Sequence, residues 1–223
     1  MLLYENTLRY LVVGTGRCGT VSVSRLLTQA GLPCGHESIF DSEGLYKAVE
    51  RLRGNSFNQS YTSKRDGWNI EADMVEADAS YMAVPFLNSS ILNRTTIVHL
   101  VRNPLHVISS FVYGVKHFQD NDVVKEWDNF IEVHLPSIKN FSTPIEKAVH
   151  FYVEWNKMIK ADILHRIEDD PKELLEKMSL PSDNLHEHKA NSFDRKITLS
   201  LEDIPEAVRG DLIDLATQYG YDL

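Results

Sequence analysis

Residues 10–19 read YLVVGTGRCG, a short apolar run followed by a glycine-rich turn, and this stretch decides the fold class. A β-branched run of this length that stops at a glycine is typical of a buried strand. Residues 20–30 follow with apolar side chains at helical spacing, and Gly31 marks the end of that helix. Strand, glycine loop and helix in this order predict an α/β fold with a parallel sheet.

A second strand–turn–helix unit begins at Thr96. Residues 96–101 read TIVHLV, a nearly continuous apolar run that is typical of a strand covered on both faces. Asn103 and Pro104 then suit the N-cap and the first position of a helix, whose apolar face continues to Val115. This unit repeats the plan of the first one and therefore favours the same parallel α/β fold.

Weaker patterns predict the remaining elements. The polar stretch 41–70 is expected to hold a helix and a mobile loop, residues 144–163 an amphipathic helix, residues 163–167 a strand, and residues 201–219 a terminal helix. No internal repeat, low-complexity tract or linker interrupts the sequence. We therefore predict a single domain over residues 1–223.

The composition is that of a globular, acidic protein. The 223 residues are 43% hydrophobic and 25% charged, which excludes a disordered or fibrous chain. The net charge is −9, from 23 Lys and Arg against 32 Asp and Glu. Because such a surface repels polyanions, we expect no nucleic-acid partner and no anionic membrane partner, and nothing in the sequence points to an obligate protein partner.

The two cysteines, Cys18 and Cys34, form neither a zinc pattern nor a disulfide framework, which favours a reducing compartment. The first residues lack the basic and apolar regions of a signal peptide, and no apolar run approaches the ~18 residues of a membrane helix. We therefore predict a cytoplasmic protein. Residues 186–188, HEH, fit a solvated loop better than a metal site, because no further ligand accompanies them.

The glycine loop at residues 14–19 matches the G-x-G-x-x-G fingerprint of dinucleotide-binding folds. Glu37 lies about where such folds carry the acid that binds the ribose. However, the segment before Glu37 makes a poor second strand, and Arg17 is unexpected in a turn that meets a pyrophosphate through bare backbone. The fingerprint by itself is a weak signal for NAD binding.

The same loop fails as a Walker motif, because Thr20 and Val21 replace its lysine and its magnesium-binding hydroxyl. What remains is an anion cradle without a metal. Backbone amides from Arg17 to Val21, at the start of a helix, would hold a phosphate oxygen, and Arg17 would add a planar cation. This arrangement suits sulfuryl transfer without magnesium. A tight turn that serves only packing is the alternative without a ligand.

The sequence resembles the sulfotransferases that use 3′-phosphoadenosine 5′-phosphosulfate (PAPS) as sulfuryl donor. Residues 14–20, GTGRCGT, look like the 5′-phosphosulfate loop of that family, in the arginine-bearing form of the Golgi and bacterial branches. Residues 98–104, VHLVRNP, look like the 3′-phosphate motif, with Ser110 eight residues after Arg102. The resemblance implies a three-layer, P-loop-like fold in which helices cover both faces of a parallel sheet.

The resemblance also implies the residues that bind the donor. The loop and the first turn of the next helix would hold the 5′-phosphosulfate, whereas the second motif would hold the 3′-phosphate. These donor-binding residues are Gly16, Arg17, Cys18, Gly19, Thr20, Val21, Ser22, Arg102 and Ser110. PAPS is then the expected co-substrate and 3′-phosphoadenosine 5′-phosphate (PAP) the product, and no metal is expected.

Three residues are candidates for catalysis. Residues 33–37, PCGHE, are similar to a segment of the protein-tyrosine sulfotransferases in which a glutamate is the base, and Glu37 matches that glutamate. His36 is the second candidate base, because the cytosolic sulfotransferases use a histidine. Arg17 would stabilise charge on the sulfuryl group and on the leaving phosphate. The acceptor would be a small molecule, glycan or lipid that carries a hydroxyl group.

Some positions depart from the family pattern. Cys18 and Val21 stand where serine and threonine are common, so backbone donors remain there but side-chain hydroxyls do not. The late Arg-Lys-Gly segment of the cytosolic branch is absent, which leaves polar residues of the region 189–192 as candidates for further donor contacts. Those candidates are Lys189, Asn191 and Ser192.

Five aromatic residues form either the wall of an acceptor pocket or part of a helical core. They are Phe111, Tyr113, Phe118, Trp127 and Phe130.

Two alternative functions remain open from the sequence. An NAD-dependent oxidoreductase built on residues 14–19 would bind NAD and would give Arg102 and Ser110 no role. A non-catalytic protein that binds 3′-phosphoadenosine nucleotides would need Arg17 and Arg102 but not Glu37.

Overall fold

In the computed structural model, which describes residues 8–54, 75–182 and 199–223, five parallel strands form a sheet. They are β1 (Tyr10–Val13), β2 (Cys34–His36), β3 (Ala77–Ala79), β4 (Thr96–Val101) and β5 (Ile163–Arg166), in the order β2-β3-β1-β4-β5. Val12 of β1 pairs with Ala79 on one side and with Val98 on the other. The predicted α/β class with a parallel sheet is confirmed.

The α-helices of the described residues follow the predicted pattern with shifted ends. They are α1 (Thr20–Gln29), α2 (Gly44–Gly54), α3 (Pro104–Ser109), α4 (Lys125–His134), α5 (Pro144–Lys157), α6 (Pro171–Lys177) and α7 (Glu206–Gln218). The helix predicted within 41–70 is α2, and residues 55–74 lie outside the described part of the chain. Among the described residues, no helix is both long enough and apolar enough to cross a membrane.

The chain divides into two compact units. The sheet unit comprises Met1–Leu100 and Ile159–Asn191, and the helical unit comprises Val101–Met158 and Ser192–Leu223. The sheet and the helices α1, α2 and α6 belong to the sheet unit, except that Val101, the last residue of β4, belongs to the helical unit. The helices α3, α4, α5 and α7 belong to the helical unit. A single domain over residues 1–223 stays a prediction.

The core of the sheet unit forms around the central strand, and Leu11, Val12 and Val13 are completely buried. The apolar face of α1 packs into the same cluster through Val23 and Leu27. This burial is what the apolar run at residues 10–13 predicts, because a central parallel strand is covered on both faces. The packing of β1 and α1 therefore agrees with the pattern of apolar residues in the sequence.

The core of the helical unit is aromatic. Trp155, Tyr152 and Phe151 of α5 are almost fully buried, and the rings of Phe151 and Trp155 lie 4.9 Å apart. The helix starts with a capping box, in which the side chain of Thr143 accepts from the backbone of Glu146 and the carboxylate of Glu146 accepts from the backbone of Thr143. This start agrees with the prediction, whereas the helix ends at Lys157 rather than at residue 163.

Two local features differ from the sequence expectation. The segment before Glu37 is expected to be a poor strand, yet Cys34–His36 form β2, which pairs in parallel with β3. The helix after β4 is not α-helical throughout, because α3 continues from Ser110 to Val115 as a π-helix. Short π-helical segments interrupt helices preferentially at functional positions.

A set of three glycine-to-alanine substitutions tests the geometry of the glycine loop. Gly19 has φ +106°, and a Cβ atom there would lie 2.8 Å from Cγ1 of Ile167. We expect Gly19→Ala to lower the free energy of unfolding by about 3 kcal/mol, because backbone strain and overpacking add. Gly31 has φ +87° with open space around it, so Gly31→Ala should cost only about 1 kcal/mol.

The matched control is Gly210, which lies exposed within α7 and also faces open space. Gly210→Ala should raise the free energy of unfolding by up to about 1 kcal/mol, because alanine is the better helix former. Urea denaturation of the three variants measures the series. A Gly19→Ala variant as stable as Gly31→Ala would contradict the close approach of Ile167.

Candidate functional site

The glycine loop, residues 14–19, joins β1 to α1 in a strained backbone conformation. Arg17 has φ +69°, a left-handed value that is uncommon for a residue other than glycine. Thr15 is completely buried, and its hydroxyl has no hydrogen-bond partner among the described residues. Strain of this kind persists where the surroundings enforce it, and it concentrates at ligand-binding sites.

The loop is held against the neighbouring strand. A Cβ atom on Gly14 would overlap the backbone oxygen of Leu100 in β4 and would lie 2.8 Å from Sγ of Cys18. Gly14 is therefore a glycine because the loop backbone passes directly over β4. The loop begins at the carboxyl end of β1, beside the end of β4, which is the edge at which parallel α/β sheets bind ligands.

The amino end of α1 carries backbone amides that have no hydrogen-bond partner within the helix. Its N-cap, Gly19, offers no side chain, and its first turn contains no acidic residue. The first amides of a helix have no carbonyl partner within the helix, and the helix dipole adds partial positive charge there. Thr20, Val21 and Ser22 supply these amides, so this end of the helix can hold an anion.

Thr20, His36 and Glu37 come together next to this helix end, although 16 residues separate the first two. Oγ1 of Thr20 lies 3.0 Å from Nε2 of His36, and the same nitrogen lies 3.9 Å from Oε1 of Glu37. Thr20 opens α1, whereas His36 ends β2. Two segments that the sequence analysis selected separately thus contribute to one cluster.

Glu37 is buried and has a left-handed backbone. Its φ is +53°, its side chain is 9% exposed, and its amide donates to the backbone oxygen of Ala79 at 3.2 Å. Burying a carboxylate is unfavourable unless other groups compensate for the lost water. Arg17 and Glu37, the two main catalytic candidates, both have a left-handed backbone, a feature that the sequence does not reveal.

Asp78, in the middle of β3, fixes the segment that follows Glu37. Its fully buried carboxylate accepts backbone hydrogen bonds from Ser38 at 3.0 Å, Ile39 at 3.1 Å and Phe40 at 3.0 Å. Ser80 adds a bond from its hydroxyl to the backbone oxygen of Phe40 at 2.7 Å. Asp78 was not among the residues predicted for the site, although an acid flanked by two alanines in the stretch 76–80, EADAS, was a signal for a buried carboxylate.

Gly35 makes room for this carboxylate. It pairs with Asp78 across the β2–β3 ladder, and a Cβ atom on Gly35 would lie 2.9 Å from Oδ1 of Asp78 and would overlap the side chain of Ser38. A side chain at position 35 would displace the acceptor that holds the backbone next to Glu37. The glycine in the stretch 33–37, PCGHE, is thus explained by packing in the sheet unit.

Asp78 makes the stability of the protein depend on pH. Burial raises its pKa from 3.8 to about 6, against the lowering effect of the backbone hydrogen bonds from Phe40, Ser38 and Ile39. A carboxyl group whose pKa is higher in the folded state stabilises the fold below its unfolded pKa, and this contribution is lost as the pH rises through about 6.

We expect the wild-type protein to lose on the order of 3 kcal/mol of unfolding free energy relative to Asp78→Asn between about pH 4 and about pH 7. Asparagine cannot ionise, so the variant lacks this titration. Urea denaturation of both proteins across that range measures the difference. A difference that stays constant, or that grows in favour of the wild type as the pH rises, would contradict this role for Asp78.

Arg102 and Ser110 lie in the helical unit, on either side of α3. Arg102 follows β4 directly and is half-buried, and its backbone oxygen accepts from the hydroxyl of Tyr152 at 2.9 Å. Ser110 is also half-buried and is the first residue of the π-helix. A Cβ atom on Gly114 would lie 3.4 Å from Oγ of Ser110, which is ordinary van der Waals contact.

The aromatic candidates divide between core and surface. Phe111 and Phe130 are buried, Phe118 and Trp127 are half-buried, and Tyr113 is 37% exposed. Phe111 and Phe130 therefore fit the helical core better than an acceptor wall. The predicted donor contacts Lys189, Asn191 and Ser192, and the stretch 186–188, lie outside the described residues.

Comparisons with protein families and with curated proteins give no match to this chain.

Proposed function

We propose that this protein is an enzyme that transfers a sulfuryl group from PAPS to the hydroxyl group of an acceptor, without a metal ion. In this proposal the domain has the three-layer, P-loop-like sulfotransferase fold, with helices on both faces of its parallel sheet. The glycine loop and the first turn of α1 hold the 5′-phosphosulfate, and Glu37 is the base.

The observation that carries the proposal is the cluster of Thr20, His36 and Glu37. The hydrogen bond of 3.0 Å between Thr20 and His36 brings a buried carboxylate to the anion-binding end of α1. Binding a phosphate at a helix end does not require a carboxylate there, so we infer a catalytic role for this one. It is well suited to accept a proton beside a bound sulfate ester.

The reaction requires few groups because the phosphate of PAPS is already a good leaving group. Glu37 takes the proton of the acceptor hydroxyl while the acceptor oxygen forms a bond to sulfur. The bond between sulfur and the phosphate oxygen breaks in line, and PAP leaves with the electron pair. Arg17 and the amides of Gly19 and Thr20 stabilise the negative charge that develops on the transferred group and on the leaving oxygen.

The 3′-phosphate of the donor is assigned to Arg102 and Ser110. Arginine binds phosphate through a planar fork of donors, and a serine hydroxyl adds a further donor. In the helical unit both residues are half-buried at the ends of α3, which is ~9 Å long by its six residues. The same two residues are not required by a protein that binds NAD.

The order of the strands argues against the dinucleotide alternative. In the dinucleotide-binding fold, the strand that carries the ribose-binding acid lies next to the first strand. Here β3 lies between β1 and β2, so Glu37 follows a strand that is about 10 Å from β1. The G-x-G-x-x-G match therefore lacks its expected partner.

The test is donor turnover in the presence of a metal chelator. Full-length protein is incubated with PAPS and a panel of phenols, sugars, alcohols and hydroxyl-bearing lipids, and the release of PAP is followed by chromatography. For at least one class of acceptor we expect PAP to be released faster than in the same reaction without an acceptor. We expect Glu37→Gln to abolish this acceptor-dependent release.

Two results would contradict the proposal. If PAPS binds but no acceptor increases PAP release, the protein is a binding protein for 3′-phosphoadenosine nucleotides. If PAPS does not bind and NAD does, the oxidoreductase alternative replaces it.

A further inference from the structure

We propose that His36 is a positioning residue rather than the base, and that it acts by orienting the hydroxyl of Thr20 toward the 5′-phosphate of the bound nucleotide. This inference rests on the proposed function, because it takes the amino end of α1 as the site of that phosphate. It assigns a new role to a residue that the sequence alone makes a candidate base.

The direction of the hydrogen bond between Thr20 and His36 decides what Thr20 offers to an anion. If Nε2 of His36 carries the proton and donates to Oγ1, the threonine proton is free to donate to a phosphate oxygen. If Nε2 lacks the proton, the threonine donates to it and presents lone pairs to the phosphate. Only the first arrangement is favourable beside an anion.

Glu37 favours the arrangement that binds phosphate. Its Oε1 lies 3.9 Å from Nε2 of His36, and both side chains are largely buried, at 9% and 17% exposure. A carboxylate at this distance is favourable for an N–H on Nε2 and unfavourable for a lone pair there, so it favours the tautomer with the proton on Nε2. Glu37 thus biases His36 to donate, and His36 in turn frees the hydroxyl of Thr20.

The geometry also explains why His36 is a poor base. Its Nε2 is already engaged by Thr20 at hydrogen-bond distance, and Thr20 is buried at 5% exposure. To accept a proton from a substrate, this nitrogen would have to give up the bond that holds Thr20.

A double-mutant cycle on PAP binding tests the inference, with calorimetric titration of the full-length protein as the measurement. Thr20→Val keeps the shape of the side chain and should weaken PAP binding about tenfold, through loss of one hydrogen bond to a charged group. His36→Phe should weaken it by a similar factor. The double variant should bind no worse than Thr20→Val, within about twofold, because both changes remove the same interaction.

His36→Gln is the conservative control, since its amide nitrogen can donate to Oγ1 of Thr20. We expect PAP affinity within about twofold of the wild type, whereas a base function would not be restored by an amide. Thermal melting of every variant establishes that it is folded.

The outcomes separate the inference from the proposed function. Losses that multiply to about a hundredfold in the double variant would overturn the inference, because His36 would then act independently of Thr20. A His36→Phe variant that binds PAP like the wild type would overturn it as well. If the wild type fails to bind PAP, the proposed function itself fails.

Discussion

Arg17→Gly is expected to weaken PAP binding at least about a hundredfold and at the same time to stabilise the protein. The affinity falls because the variant loses a charged, planar donor at the phosphate site, and such a loss costs about 3 kcal/mol or more. The stability rises by about 1 kcal/mol because glycine adopts the left-handed backbone without steric cost. Calorimetry with PAP and urea denaturation measure the two effects on the same protein.

Two control variants separate these effects. Arg17→Ala should lose the same affinity without any gain in stability, because alanine is strained at φ +69° as arginine is. Lys116 is exposed at the end of the π-helix with φ +60°, and Lys116→Gly should gain stability while PAP affinity stays unchanged. An Arg17→Gly variant that binds PAP normally would remove Arg17 from the site.

Glu37→Gln is expected to reduce sulfuryl transfer about a thousandfold and to change PAP affinity by no more than about tenfold, because Glu37 acts on the phosphate site only through His36. The amide keeps the size of the side chain and one acceptor oxygen, but it cannot take up the proton of the acceptor hydroxyl. The measurement is the rate of PAP release from PAPS at saturating donor, with the acceptor class found in the turnover assay. Calorimetric titration with PAP gives the affinity.

The matched control for Glu37 is Glu43, an exposed carboxylate six residues further along the same chain segment. Glu43→Gln changes the charge of the protein by the same amount, so it reports any effect of net charge alone. We expect its turnover to equal that of the wild type. Equal turnover in Glu37→Gln would show that another group takes the proton.

The part of the fold that the sequence predicts well is the part with strong local patterns. β1, the glycine loop and α1 follow from an apolar run, three glycines and helical spacing, and β4 follows from the run at residues 96–101. In each case the local preference and the burial in the sheet agree. The same regions carry most of the candidate donor-binding residues, so their positions along the chain were predictable.

Other features depend on tertiary contacts and leave no local pattern. β2 and β3 have three residues each, with Gly35 and Asp78 at their centres, and neither residue favours a strand. They pair because Gly35 leaves space for the carboxylate that binds the next segment. The left-handed backbone at Arg17 and Glu37 is equally invisible in the sequence, since it is imposed by the surrounding structure.

Calorimetric titration of the full-length protein with PAP, 5′-AMP, ATP and NAD, each in the presence of a metal chelator, shows whether the protein has a site for the 3′-phosphate. We predict that PAP binds at least about a hundredfold more tightly than 5′-AMP, because only PAP carries the 3′-phosphate for Arg102 and Ser110. Equal affinities for PAP and 5′-AMP, or saturable binding of NAD without binding of PAP, would contradict the account.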